Sequence, residues 1–359
     1  MKNNNKIAIV SASLGIGGAE RFAGLLSFML HDLGYDVHHL IILDHVDYDF
    51  EGTLVNLGKI YAEEKGLFRA LKKGKYIAKY LSENDIQIVI DNRSRPLFMR
   101  ELFTKWIYGK RKCYFMVHSS NLQIYFSEFG AKYLYQNATK LICVSKIIES
   151  RIQEKYKLNN TITIHNPVVF PKNSYQLPNL IPKNYLLFFG RFKEEIKNFT
   201  LLLNGFRLSK VYAKGTMLLL IGDGSDKAYI QAKIKELELE SFVLLLPFQK
   251  NITAFVQNSK CTMLTSHFEG FPMSLIESLA AGTPVISVDC ESGPKEIIQN
   301  KQNGLLVPNY NEAALAQAIS DMVCDENLYQ TCKNNAQKSV EHLSLKKTAK
   351  QWQQLLAQK

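Results

Sequence analysis

No apolar run in this sequence approaches the ~20 residues needed to cross a bilayer. The longest candidates, Met217–Ile221 and Phe242–Phe248, have the length of buried strands. No basic stretch followed by a long apolar core opens the chain; polar Met1–Lys6 runs straight into Ile7-Ala8-Ile9-Val10. A secretory signal is therefore not expected, and the expectation is a cytoplasmic protein. The six cysteines (Cys113, Cys143, Cys261, Cys290, Cys324, Cys332) form no C-x-x-C pair, and the eight histidines do not cluster with them. Buried or incidental thiols are expected rather than a zinc site. There is no short repeat, no low-complexity tract and no RNA-binding motif.

Acidic charge is also in short supply. Against 44 Lys and Arg stand 33 Asp and Glu, a formal net charge of +11. That excess favours acidic partners: nucleic acid, an anionic membrane or a phosphorylated ligand. Composition does not choose among them, and the missing motif argues against nucleic acid. The chain is 46% hydrophobic over 359 residues, enough for two cores.

Short apolar runs alternate with helix-patterned stretches. Ile7–Val10, Val37–Leu43, Ile86–Ile90, Cys113–Val117 and Leu141–Val144 read as strands, with a helix from about Ala19 to Leu33. Near Ile164 periodicity fades, and Pro171, Pro178 and Pro182 mark a linker. A second series then follows: Tyr185–Phe189, Met217–Ile221, Phe242–Leu246, Cys261–Leu264 and Pro284–Val288. Buried strands separated by helices imply parallel sheets. The expected division is 1–168, a linker at 169–184, a second domain at 185–340, and a final helix at 341–359 returning to the first domain.

Several strand-to-helix turns carry chemistry. The first is Leu14-Gly15-Ile16-Gly17-Gly18-Ala19-Glu20-Arg21, where glycine lets backbone approach a ligand at a helix N-terminus. Its spacing is not the dinucleotide fingerprint. The second is Gly190-Arg191 after a strand, followed by Lys197-Asn198; a strand's carboxyl end is where open α/β sheets bind ligands, and both cations suit phosphate. The third is Gly222-Asp223-Gly224. Taken alone, the first and third also fit ordinary turns, and the second fits a solvated surface pair better than a site.

The richest segment is Ser266-His267-Phe268-Glu269-Gly270-Phe271-Pro272-Met273-Ser274-Leu275-Ile276-Glu277. Pro272 is expected at the first helical position. The amides that follow can face a pyrophosphate. Glu269 and Glu277 can accept hydrogen bonds from hydroxyls on either side of it. Ser292-Gly293-Pro294-Lys295-Glu296 and Asn303-Gly304 add two further turns. In the first half His118 directly follows a strand, at the rim of the sheet.

Taken together these motifs resemble retaining glycosyltransferase family 4. The matching pieces are Gly-Gly-Ala-Glu-Arg at 17–21, Gly190-Arg191 with Lys197-Asn198, Gly222-Asp223-Gly224, and Glu269-Gly270-Phe271-Pro272 with Glu277. Ala281–Ile286 and Asn303–Val307 complete the set. The likeness runs through the whole second half and is confined, in the first, to the opening turn and His118. It implies a GT-B fold: α/β, two Rossmann-like parallel-sheet domains facing across a cleft and closing on the linker. It implies Arg191 and Lys197 on the donor diphosphate, Glu277 on the ribose, and Glu269 on the donor sugar with Gly190, Gly222, Gly270, Phe271, Pro272, Met273 and Ser274 around them. Phe248 would lie at the base, Gly17 and Gly18 at the phosphates, and His118 at the sugar. The activity implied is metal-independent, retaining transfer of a hexose or N-acetylhexosamine from a nucleotide sugar to a glycan or lipid-linked acceptor of surface polysaccharide or lipopolysaccharide, and Ser292-Gly293-Pro294-Lys295-Glu296 resembles the element of transferases that use UDP-sugars. No cofactor is implied beyond that donor. One departure stands out: Asn198 occupies a position usually held by Gly.

The stretch 65–112 interleaves Lys and Arg with Phe68, Tyr76, Tyr80, Phe98, Phe103, Trp106 and Tyr108. It is expected either to rest peripherally on an anionic membrane or to be a solvated face. The rival functions are a sugar-nucleotide epimerase of the same two-domain fold and a non-catalytic sugar-binding protein.

Overall fold

The computed structural model describes residues 5–15, 17–127, 135–177 and 181–358. Ile16 of the first turn and Pro178 of the expected linker lie outside the described residues. The chain forms two compact units, Met1–Pro167 with Leu345–Lys359, and Val168–Ser344.

The first unit is built on a parallel sheet of β1 (Lys6–Ser11), β2 (Asp36–Ile41), β3 (Thr53–Asn56), β4 (Ile88–Asp91), β5 (Lys112–Val117), β6 (Lys140–Cys143) and β7 (Thr161–Thr163), in the order β3-β2-β1-β4-β5-β6-β7. The central strands are apolar and buried on both faces: Ile7, Ala8 and Ile9 are wholly inaccessible. The two edge strands β3 and β7 were not expected from sequence, because each is only three or four residues long and starts or ends on polar positions (Thr53 and Asn56; Thr161 and Thr163). The C-terminal helix Leu345–Leu356 belongs to this unit. Its buried Trp352 packs on Phe22 of the helix Gly18–Asp32, ring centroids 6.5 Å apart.

The second unit holds β8 (Tyr185–Phe189), β9 (Met217–Ile221), β10 (Val243–Leu246), β11 (Cys261–Leu264), β12 (Val285–Asp289) and β13 (Gly304–Pro308), all parallel, in the order β10-β9-β8-β11-β12-β13. Side chains alternate across a strand. Leu186 and Phe188 of β8 therefore enter the core beneath the helices Phe199–Ser209 and Glu312–Cys324, while Tyr185 and Leu187 enter the opposite core with Phe255 and Val256. Burying a side chain such as Phe188 is worth roughly 1.5–3 kcal/mol. The two long helices approach closely at Gly205, where a Cβ would meet Leu315 at 2.6 Å. Val168 and Leu343, at the two ends of this unit, are joined by a backbone hydrogen bond of 2.9 Å.

In each unit the strand order reverses once, at β1/β4 and at β8/β11. Helices leave on opposite faces there, so a crevice opens at the carboxyl ends of those strands.

Candidate active site

In the second unit the two strands flanking the reversal are followed by the two richest motifs. Gly190-Arg191 follows β8 and Ser266–Glu269 follows β11. Phe192 tucks into the core, wholly buried, and leaves Arg191 exposed at the rim. The short helix Glu194–Lys197 then ends at Asn198, whose backbone is left-handed (φ 52°, ψ 60°). Asn is among the few non-glycine residues that tolerate this conformation, so the turn survives without the usual Gly. Asn198 adds something Gly lacks: its side chain accepts from the amide of Leu201 at 3.1 Å and caps the next helix.

The result is a fixed position for Lys197. Its ammonium meets Glu269 Oε1 at 2.6 Å, with both side chains largely buried. Ser266 Oγ donates to the same oxygen at 2.7 Å. The β11 loop is tied to the Lys197 turn by Thr265 Oγ1 on the Lys197 carbonyl (2.9 Å) and by the His267 amide on Ile196 (2.8 Å). Cys290 lies nearby; burial, then the Glu269 charge, pushes its thiol up to about 12, so it stays protonated. Ser266 was not singled out by sequence, although its place three residues before Glu269 was the available signal.

Pro272 does not begin the helix. It is the N-cap, with extended ψ of 115°, and the helix runs Met273–Ala280. The reason is that the Pro272 carbonyl already accepts from Leu275 at 3.2 Å while its own backbone stays outside the helix. No side chain caps this end, and the amides of Met273 and Ser274 open the first turn. Glu277 is half-buried one turn in, on the face of Met273 and Ser274. Ser278 Oγ fastens the helix to β11 through Thr262 Oγ1 at 2.7 Å.

Two glycine turns support this loop by close approach. A Cβ on Gly222 would fall 1.9 Å from the Gly190 carbonyl oxygen, so the turns after β8 and β9 can run side by side only with glycine there. Gly293, at φ +93°, lies against Pro272 and the Gly270 carbonyl, which also receives Ser292 Oγ at 3.0 Å. Phe271 is buried, and Phe248 follows β10, half-buried.

In the first unit Gly17 and Gly18 open the helix Gly18–Asp32. His118 follows β5, and its Nε2 lies 2.5 Å from Asn92 Oδ1. Asn92, the first residue after β4, was missed; a strand end beside the order reversal was the signal that would have found it.

The stretch 65–112 is not one solvated face. Arg93 and Arg95 turn inward onto buried Asp91 at 2.7 and 2.8 Å, and Tyr108 donates to the same carboxylate. Burial opposes the Asp91 charge, but the two guanidiniums outweigh it and hold the carboxyl down at about 2. Lys73 is buried on the Ile42 carbonyl, and Arg111 serves the Ile86 carbonyl. The cations left outside are Lys65, Lys72, Lys75, Lys79, Arg100, Lys105, Lys110 and Lys112, with Leu67, Phe68, Met99 and Trp106 among the exposed apolar residues. An Asp-x-Asp triplet, Asp47-Tyr48-Asp49, lies between β2 and β3, with Asp47 paired to His45 at 2.8 Å. Among the described residues no group of three or more His, Cys, Asp or Glu could hold a metal, and no helix is long and apolar enough to cross a membrane.

Residues 16–169 match the model described as glycosyltransferase family 4, and residues 172–339 the model described as glycosyl transferases group 1. The chain belongs to this family of glycosyltransferases, and its fold is GT-B. Among its relatives, the N-acetylgalactosamine-N,N'-diacetylbacillosaminyl-diphospho-undecaprenol 4-alpha-N-acetylgalactosaminyltransferase of Campylobacter jejuni is 29% identical, over 92% of this chain and 93% of its own. The lipopolysaccharide 1,6-galactosyltransferase of Escherichia coli K12 is 33% identical over 52% of each chain. The structure of Staphylococcus aureus TarM, solved with UDP, superposes with a TM-score of 0.79 over 98% of this chain and 100% of that one, at 15% identity, a likeness of fold.

Proposed function

We propose that this glycosyltransferase moves a hexose or N-acetylhexosamine from a UDP-sugar to a glycan or lipid-linked acceptor, in the assembly of a surface polysaccharide or lipopolysaccharide. The observation that carries the reading is the Lys197–Glu269 contact, which puts a cation and a carboxylate together after the two strands flanking the order reversal. A sugar nucleotide needs that pairing of opposites: cations for its diphosphate, acceptors for its hydroxyls. The named activities of the Campylobacter and Escherichia relatives, and the UDP held by TarM, support the same donor and acceptor classes.

In the proposed reaction the acceptor hydroxyl attacks the anomeric carbon on the face that the phosphate leaves. The carbon–phosphate-oxygen bond breaks, its electron pair stays on the diphosphate, and the hydroxyl proton passes to a phosphate oxygen. Arg191, Lys197 and the amides of Met273 and Ser274 stabilise the charge that develops there. Glu277 holds the ribose and Glu269 the sugar hydroxyls. Gly190, Gly222, Gly270, Phe271, Pro272 and Phe248 shape the donor site. The first unit supplies His118 to the sugar and Gly17 and Gly18 to the phosphates. The exposed basic and aromatic residues of 65–112 rest on anionic lipid.

A thermal-shift panel of UDP-, GDP- and ADP-sugars on wild type and Glu277→Ala tests the donor site. A ligand that binds only the folded state raises the melting temperature. Stabilisation by UDP-sugars that disappears in the variant is expected; stabilisation by another nucleotide class would overturn the UDP assignment, and none at all would remove the donor site.

A further inference from the structure

We infer that Asn92 is a positioning residue that sets the proton on Nε2 of His118 and leaves Nδ1 as a hydrogen-bond acceptor for a sugar hydroxyl. This inference rests on the reading of His118 given above.

Asn92 stands at the carboxyl end of β4, next to β5, whose end carries His118. Its amide has two partners. Nδ2 lies 2.8 Å from the carbonyl oxygen of Ala19, in the first turn of the helix Gly18–Asp32. That carbonyl can only accept, so the amide must donate to it; the flipped amide would set two oxygens against each other. Oδ1 then faces His118 Nε2. An amide oxygen can only accept, so Nε2 must be the protonated nitrogen.

The neutral form follows from the surroundings. Phe22, on the same helix, meets the imidazole at 5.0 Å and 62°, and Trp352 backs Phe22. Among the described residues the charged and titratable groups around the ring are Arg95 and Tyr125, with Glu20 acting on Tyr125. Burial, helped by the Arg95 charge, pulls the ring down to about 3. A ring with one proton, held on Nε2, keeps its lone pair on Nδ1. At neutral pH His118 therefore receives a hydroxyl hydrogen and cannot act as a general acid.

Histidine nitrogen NMR on the full chain tests this, with His118→Asn used to assign the signal. Wild type is expected to show the Nε2–H tautomer, with no titration between pH 8 and 5. In Asn92→Ala the two tautomers should mix and transfer should slow about tenfold, the scale of one lost hydrogen bond, while UDP-sugar stabilisation persists. Asn92→Asp still accepts from Nε2 but adds charge, so it should keep the tautomer and raise the titration midpoint by about a unit or more. A wild-type Nδ1–H tautomer overturns the inference, as does an Asn92→Ala spectrum identical to wild type. Absence of UDP-sugar stabilisation in every protein would strike the donor reading instead, because the tautomer is read without any ligand.

Discussion

Lys197 and Glu269 are 72 residues apart in sequence and meet at 2.6 Å. The contact joins the loop after β8 to the loop after β11 across the strand-order reversal, and Ser266 holds the same carboxylate oxygen. Because the pair is largely buried, removing one partner leaves a charge with little solvent to compensate it.

Glu269→Ala is therefore expected to lower kcat/KM by about 100-fold or more, the range for a lost charge-stabilising or orienting group. Lys197→Ala should weaken UDP binding as well, whereas Glu269→Gln should leave it nearly intact. Steady-state kinetics with calorimetric UDP titration separates the two roles. Near-normal turnover in Glu269→Ala would take that residue out of the chemistry.

Asn198 offers a test of local structure. Asn198→Ala loses the cap on Leu201 and places a Cβ-bearing residue at φ 52°, together costing about 2 kcal/mol. Asn198→Gly keeps the backbone freedom and should cost only a few tenths. Urea midpoints of the three proteins decide it, and equal losses for Ala and Gly would contradict the left-handed turn.

Gly222→Ala should be far more damaging than its size suggests, since its methyl group would lie 1.9 Å from the Gly190 carbonyl oxygen. The turns after β8 and β9 must separate. UDP-sugar stabilisation is expected to vanish even where the melting temperature shows a folded protein. An unaltered ligand shift would show that these turns yield easily.

Acid should destabilise the fold well before the carboxylates titrate. Burial alone holds His39 down at about 4, and among the described residues neither of its ring nitrogens has a hydrogen-bond partner; His118 lies near 3. Both titrate near 6.5 when unfolded. Between those values the unfolded chain binds more protons, so stability is complete above pH 6.5 and declines as pH falls towards 4. Denaturant midpoints at pH 7.5 and 5 measure the slope. His39→Leu should flatten it, and an unchanged slope would assign the effect elsewhere.

Membrane contact predicts flotation of the protein with anionic vesicles at low salt, weakened by Lys75→Glu with Phe68→Ser. No flotation of wild type under those conditions rules the contact out.

Much of this was legible in the residues. Tyr185–Phe189, Met217–Ile221 and Cys261–Leu264 are strands with the bounds their apolar runs imply, because strands buried on both faces read as near-continuous apolar runs. The edge strands β3 and β7 carried no such signal. Pro272 was displaced by one position because N-cap and first helical residue differ only in backbone angles.

The sequence by itself determined the two α/β series, the family and the kinds of group a donor would need, since these follow from local pattern and residue chemistry. Only the tertiary structure decided which groups meet. Arg93 and Arg95 look like surface cations in the chain, yet both are spent on buried Asp91. Lys197 finds Glu269, and Asn92 finds His118, through strand neighbours far apart in sequence. The physical reason is that a parallel sheet sets partners by strand order, and strand order is the outcome of packing whole helices on both faces rather than of any short stretch of residues.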